Sequence, residues 1–206
     1  LTDMRHRKID ILVGTQMVTK GHDFPFVTLV CVLNADAGLN FPDFRAAERT
    51  VQLLTQVSGR AGRAHRPGKV LVQTWDPEHF ALRSLVDHDH ASFCQQELSA
   101  RQLAGYPPYS HATVIRIEGR DPSLVLSQST LIAKHLIDAG ILEKGCQMRG
   151  PAPAVLERIR GKTRYALLIT SPNRHQLRAL LDTLDPEMLS SREPRVIIDV
   201  DPYDLM

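Results

Sequence analysis

Residues 11–36 read ILVGTQMVTKGHDFPFVTLVCVLNAD, and residues 56–63 read QVSGRAGR. Residues 9–13 are short, β-branched and bounded by Gly14, and residues 27–34 (VTLVCVLN) are nearly continuous in apolar side chains. Runs of this length and composition predict buried parallel strands. Between them stand Gly14-Thr15 and, a few positions on, Lys20-Gly21-His22-Asp23. A strand that ends in Gly-Thr exposes backbone N–H groups and a hydroxyl at its carboxyl edge. Open α/β sheets place their ligands there, and such groups can grip a phosphate, including that of a DNA backbone. Gly21 permits a tight backbone approach, and Asp23 can accept hydrogen bonds from an arginine or a ribose hydroxyl. As isolated letters, these residues fit a turn and a helix cap equally well.

Working outward, residues 46–57 carry apolar side chains at helical spacing and lead into the glycine-containing turn at 58–63, which predicts a helix ending in a Gly/Arg loop. Arg60 and Arg63 flank glycines in that loop. Arginine stays protonated and presents a planar fork of donors, so a pair held on a tight loop suits the charge that develops on a transferring phosphoryl group. The plain alternative is a positive helix C-terminus that complements the macrodipole. A strand is predicted at 69–74 and one or two helices within 77–104, so strand and helix alternate and the first part reads as an α/β unit.

After Tyr106-Pro107-Pro108-Tyr109 the pattern restarts. A strand is predicted at 112–118, a helix at 123–139 with Asp121 or Ser123 as N-cap, one strand within 147–156 and another at 165–170, a helix at 174–184 and a last strand at 195–200. The order β-α-β-β-α-β is that of a split βαβ sandwich. The expected division is therefore a first domain over residues 1–104 and an α+β domain over 105–206. Tyr106 and Tyr109 have rings that can stack on bases, but flanked by prolines they read as pins of the domain junction.

The bulk properties exclude more than they assign. Hydrophobic residues at 43% and charged residues at 23% describe an ordinary globular protein. No apolar run approaches the ~20 residues needed to cross a bilayer, and the polar first ten residues do not make a signal peptide, so the expected location is cytoplasmic. Cys31, Cys94 and Cys146 are far apart and form no C-x-x-C pair, which predicts reduced structural thiols. Asp87-His88-Asp89-His90 resembles a metal cluster, but residues two apart on a helix do not share a face; a solvated helix start is expected and no metal ligands are assigned. Net charge is only +2, yet between Arg149 and Arg178 seven bases face the single acid Glu157. Within that stretch Arg158, Arg160, Lys162 and Arg164 alternate around Gly161, an arrangement that on a strand puts all four on one face and makes a candidate phosphate-facing surface. The start at Leu1, in a polar, basic stretch that runs straight into an apolar one, reads as a cut inside a larger protein.

The GT and KGHD segment followed by QVSGRAGR resembles, in order and separation, motifs V and VI of superfamily two helicases. The wording of residues 11–36 and of LNFPDFRAAERTVQLLTQVSGRAGR (39–63) is similar to that of the primosomal replication-restart helicases, the PriA family. The later segments ELSARQLAGYPPYSHATVIRIEG, RGPAPAVLERIRGKTRYALLI and VIIDVDPYDL agree, so the resemblance covers essentially the whole chain.

The resemblance implies the back part of a RecA-like helicase lobe followed by the family's C-terminal domain, within an ATP-dependent 3′ to 5′ DNA helicase that recognises forked DNA and restarts replication by primosome assembly. It implies that Gln56, Gly21 and Asp23 face ATP, that Arg60 and Arg63 reach its phosphates as catalytic groups, and that Thr15 touches the DNA backbone. Forked and single-stranded DNA, single-strand-binding protein and other primosome proteins are the implied partners of a monomer. The chain contains neither G-x-x-x-x-G-K-[ST] nor D-E-x-H. Alone it is expected to be inactive, with ATP and Mg²⁺ belonging to the full-length protein and zinc to the family's paired cysteines ahead of motif V. Two other readings are a non-catalytic DNA- or protein-binding module and a different superfamily two motor; in the latter, GPAPA (150–154) and DVDPYDL (199–205) would have no reason to be present.

Overall fold

The computed structural model describes residues 2–6, 8–15, 26–59, 68–190 and 192–206. The chain divides into two units, Leu1–Glu97 and Leu98–Met206. Among the described residues the first unit holds helices α1 (Thr2–Arg5), α2 (Asp36–Leu39), α3 (Ala46–Ser58) and α4 (Phe80–Val86), and strands β1 (Leu29–Val32) and β2 (Lys69–Val72). Helix α5 (His90–Ala104) runs through the division.

β1 and β2 pair in parallel, Leu29 opposite Lys69 through Val32 opposite Val72, with a helical crossover between them. They are not the buried strands expected: no residue of either is fully buried, and Leu29 and Leu71 are 50% and 56% exposed. α3 forms because Ala46, Thr50, Val51, Leu54 and Val57 recur at helical spacing and are buried on one face. Its start is fixed by Asp43, whose fully buried carboxylate accepts from the Arg45 amide at 2.8 Å and from Arg49 at 3.1 Å. Val51 packs with Ala81 and Phe93, and the Phe80 and Phe93 rings stack 5.8 Å apart. The region expected to hold one or two helices holds α4 and α5, broken at His88, which stands at φ 54.

The expected strand at residues 9–13 does not form. Among the described residues this stretch enters no ladder, and Ile11 and Val13 are 81% and 87% exposed. β-branched composition favours a pleated surface only where a neighbour supplies hydrogen bonds and packing, and the described ladder of this unit contains β1 and β2 alone.

The second unit contains β3 (His111–Gly119), α6 (Pro122–Asp138), β4 (Gln147–Ile159), β5 (Lys162–Ser171), α7 (Arg174–Leu181), the short α8 (Pro186–Leu189) and β6 (Arg195–Val200). The sheet runs β4-β5-β3-β6, and every neighbouring pair is antiparallel. Ile115, Ile117, Leu167 and Ile169 project from the sheet onto Val125, Ile132 and Leu136 of α6 and Leu177 and Leu180 of α7, all at most 2% exposed. N-caps start the helices: the side chains of Asp121, Asn173 and Asp185 accept from amides of the first turns of α6, α7 and α8.

β4 fills the expected window of residues 147–156 and runs on to Ile159, with the segment GPAPA inside the strand. Proline removes a ladder donor and is confined to edges and bulges. β4 is an edge strand, and its register shifts between Arg149 and Ala152 and again between Pro153 and Arg158. Gly150 stands at φ 102, where a Cβ would come within 2.6 Å of the Ala166 carbonyl oxygen, so this position needs glycine.

Candidate nucleotide and nucleic-acid sites

α3 buries one face, and Gln56 lies exposed on its last turn. The helix then closes locally: the Ser58 hydroxyl donates to the Thr55 carbonyl at 2.9 Å and the Gly59 amide to the same oxygen at 3.1 Å. Gly14 and Thr15 are exposed too. Arg60, Arg63, Gly21 and Asp23 lie outside the described residues. Of the two motif segments, then, the described parts are the approach to each: a polar side chain at the end of a well-packed helix, and a Gly-Thr pair.

The hairpin between β4 and β5 is described throughout, and it departs from the expected single row of bases. Ile159 pairs with Lys162 and Arg158 with Thr163 across a two-residue turn at Arg160-Gly161. Directly opposed residues of an antiparallel ladder project to the same side. Arg158 therefore shares a side with Thr163, while Lys162 and Arg164 project to the other; the turn interrupts the alternation that a single strand would have kept. Lys162 and Arg164 converge on one carboxylate, that of Glu118 on β3, at 2.9 and 3.9 Å. Arg164 is 11% exposed at its side chain, and its Nε is buried without a hydrogen-bond partner. Arg158 and Arg160 are exposed, and among the described residues neither makes a hydrogen bond or ion pair.

Three anchors are invisible in the local sequence. Glu118 takes its role only because β3 pairs with β5 in a register that sets it opposite Arg164. The Arg116 guanidinium reaches Asp199 at 2.9 Å and the Asp204 carbonyl at 3.0 Å, holding the C-terminal segment to the sheet. Arg149 donates to the Ala104 carbonyl at 3.1 Å, at the end of α5, and lies 4.9 Å from the centroid of the Tyr106 ring. That geometry covers one face of Tyr106 with a cation–π contact. Asp201 meets Arg174 at 3.2 Å and His111 at 3.8 Å. Of Asp87 to His90, Asp87 closes α4, and Asp89 accepts from the Ser92 amide at 2.9 Å in the first turn of α5. Among the described residues no group of three or more His, Cys, Asp or Glu side chains is placed to hold a metal ion, and no helix is long and apolar enough to cross a membrane.

Residues 102–203 match the family described as the primosomal protein N C-terminal domain, and residues 1–65 match the helicase conserved C-terminal domain. The replication restart protein PriA of Bacillus subtilis is 38% identical over 206 residues, 97% of this chain, and that of Haemophilus influenzae 40% identical over all of it. The chain belongs to the PriA family. The PriA protein of Synechocystis is a further relative, at 38% identity over 205 residues. The chain spans 25%, 28% and 24% of the lengths of these three proteins, about a quarter. Both motif segments fall inside the helicase match, and β3 through β6 with the basic hairpin fall inside the PriA C-terminal match.

Proposed function

We propose that this chain is the C-terminal part of an ATP-dependent 3′ to 5′ DNA helicase that recognises forked DNA and restarts replication by assembling a primosome. The observation that carries the proposal is the succession, in one chain, of a helicase C-terminal match and a PriA C-terminal match. In this reading residues 1–104 belong to the second RecA-like motor lobe. Residues 105–206 form a split βαβ domain, a reading supported by the strand order β4-β5-β3-β6 with α6 and α7 as its two crossing helices.

Gln56, Gly21 and Asp23 would line ATP, and the guanidinium forks of Arg60 and Arg63 would meet charge developing on its transferring phosphoryl group. Gln56, exposed at the end of α3, suits such a contact. Mg²⁺, when bound to the full-length protein, neutralises charge between the phosphates; the residues to hold it belong to motifs this chain does not contain. Zinc likewise belongs to a segment other than this one. Thr15 and the basic hairpin, through its exposed Arg158 and Arg160, would contact DNA, with single-strand-binding protein and other primosome proteins as partners of a cytoplasmic monomer. Strand displacement by the full-length protein tests the proposal. Partial duplexes with a 3′ single-stranded tail should be unwound in the presence of ATP and Mg²⁺, and equal or better unwinding of 5′-tailed duplexes would overturn the assigned polarity.

A further inference from the structure

The four bases of the β4–β5 hairpin fall into two pairs with different surroundings. Lys162 and Arg164 share the Glu118 carboxylate, and the Arg164 side chain is nearly enclosed. Two cations on one carboxylate leave one charge over, but the Lys162 ammonium is held by Glu118 at 2.9 Å and the Arg164 side chain is only 11% exposed, so neither meets a phosphate without giving up its place on Glu118. This pair ties β5 to β3 next to the turn. Arg158 and Arg160 differ on both counts: they are exposed, and among the described residues they have no hydrogen-bond or ion-pair partner.

The turn supplies a second observation. Arg160 and Gly161 are its two central residues, at φ 51 and φ 76. Two-residue hairpin turns with positive φ at both positions favour Asn-Gly, Asp-Gly or Gly-Gly, because a larger side chain at the first position crowds the backbone. Arginine is a poor turn-former there, and a non-glycine residue held at positive φ is a reason to look for a role in its side chain.

We infer that Arg158 and Arg160 form a two-arginine tip that contacts the phosphodiester backbone of DNA, while Lys162, Arg164 and Glu118 form the base that keeps the hairpin in register. This rests on the reading of the C-terminal unit as a DNA-contacting domain. The tip presents no aromatic ring between Glu157 and Arg164 on which a base could stack, so it offers charge without base readout. Arginine forks match phosphate oxygens, and such contact depends steeply on salt and little on sequence.

Single-strand binding by the full-length protein, titrated against salt, tests the assignment. Arg158→Gln with Arg160→Gln should weaken binding and flatten the plot of log affinity against log salt by about 1.4 units, at ~0.7 per phosphate contact. Thermal stability should hold. Arg160→Asn, which installs an Asn-Gly turn, should flatten the slope by about half as much and leave the Tm equal or higher. Lys162→Gln with Arg164→Gln should lower the Tm with the slope unchanged. If the quadruple glutamine variant flattens the slope but the Arg158/Arg160 pair does not, the tip assignment is wrong and the wider DNA reading stands. If even the quadruple variant binds DNA as the parent does, the DNA reading of the hairpin fails as well. If the Arg158/Arg160 variant keeps its DNA slope but loses binding to an acidic peptide, the tip is a protein-docking site and the inference is overturned.

Discussion

The Asp121 carboxylate accepts from the Ser123 hydroxyl at 2.6 Å and from the Ser123 amide at 2.8 Å, closing the first turn of α6. Those two hydrogen bonds, the hydroxyl's first, hold its carboxyl below the ordinary aspartate value. A group whose folded pKa is lowered stabilises the fold fully above its unfolded value, near ~3.9, and loses that contribution as pH falls through the folded value. Asp121→Ala should therefore lower the urea midpoint of the C-terminal unit at pH 7. The gap from the parent should narrow as pH drops below about 4; a gap independent of pH would show that the charge plays no part. The sequence narrowed this cap to Asp121 or Ser123, and the structure gives it to Asp121, with Ser123 as its donor. Glu118 was not readable: its neighbours along the chain say nothing of Lys162 and Arg164, which become its partners only through β3–β5 pairing. The row of four bases was misread for a related reason. Alternation counts faces correctly along one strand, but the turn at Arg160-Gly161 puts Arg158 and Lys162 on two strands.

At the scale of elements, the segments with strong local signals came out with the right type and shifted ends. Residues 27–34 and 69–74 contain strands over Leu29–Val32 and Lys69–Val72, and the last strand, Arg195–Val200, is where the pattern put it. Residues 9–13 show the limit, since a strand needs a neighbour that composition does not supply. β4 shows the reverse: prolines that speak against a strand interior are tolerated because the strand lies at the edge and bulges twice. Gly150 is the hinge of that arrangement. Gly150→Ala would drive a methyl group to within 2.6 Å of the Ala166 carbonyl oxygen at φ 102, so it should destabilise the C-terminal unit by more than about 1 kcal/mol in denaturant titration. An unchanged midpoint would mean that β4 relaxes away from β5 without loss. The GPAPA and DVDP segments thus have structural duties: one shapes the edge strand β4, and the other supplies Asp199 to Arg116 and Asp201 to Arg174.

At the scale of the molecule, the two units correspond to two kinds of legibility. The helicase half was recognisable from short motifs because GT, KGHD and QVSGRAGR are each contiguous in sequence. Its fold was less legible, since the ladder partners of a parallel sheet lie far apart in sequence. The C-terminal half was the opposite case: its element order was plain, while the contacts that organise its basic surface arise only on folding. In the proposed function, Arg60 and Arg63 belong to an ATPase site that this chain supplies in part. DNA-stimulated ATP hydrolysis by the full-length protein, with Arg60→Ala and Arg63→Ala made separately and the 206-residue chain assayed alongside, tests it most directly. Turnover should fall by ~10³ to 10⁵-fold in each variant with nucleotide affinity nearly unchanged, and the 206-residue chain alone should not hydrolyse ATP above buffer. Undiminished DNA-stimulated hydrolysis in both variants would contradict the account.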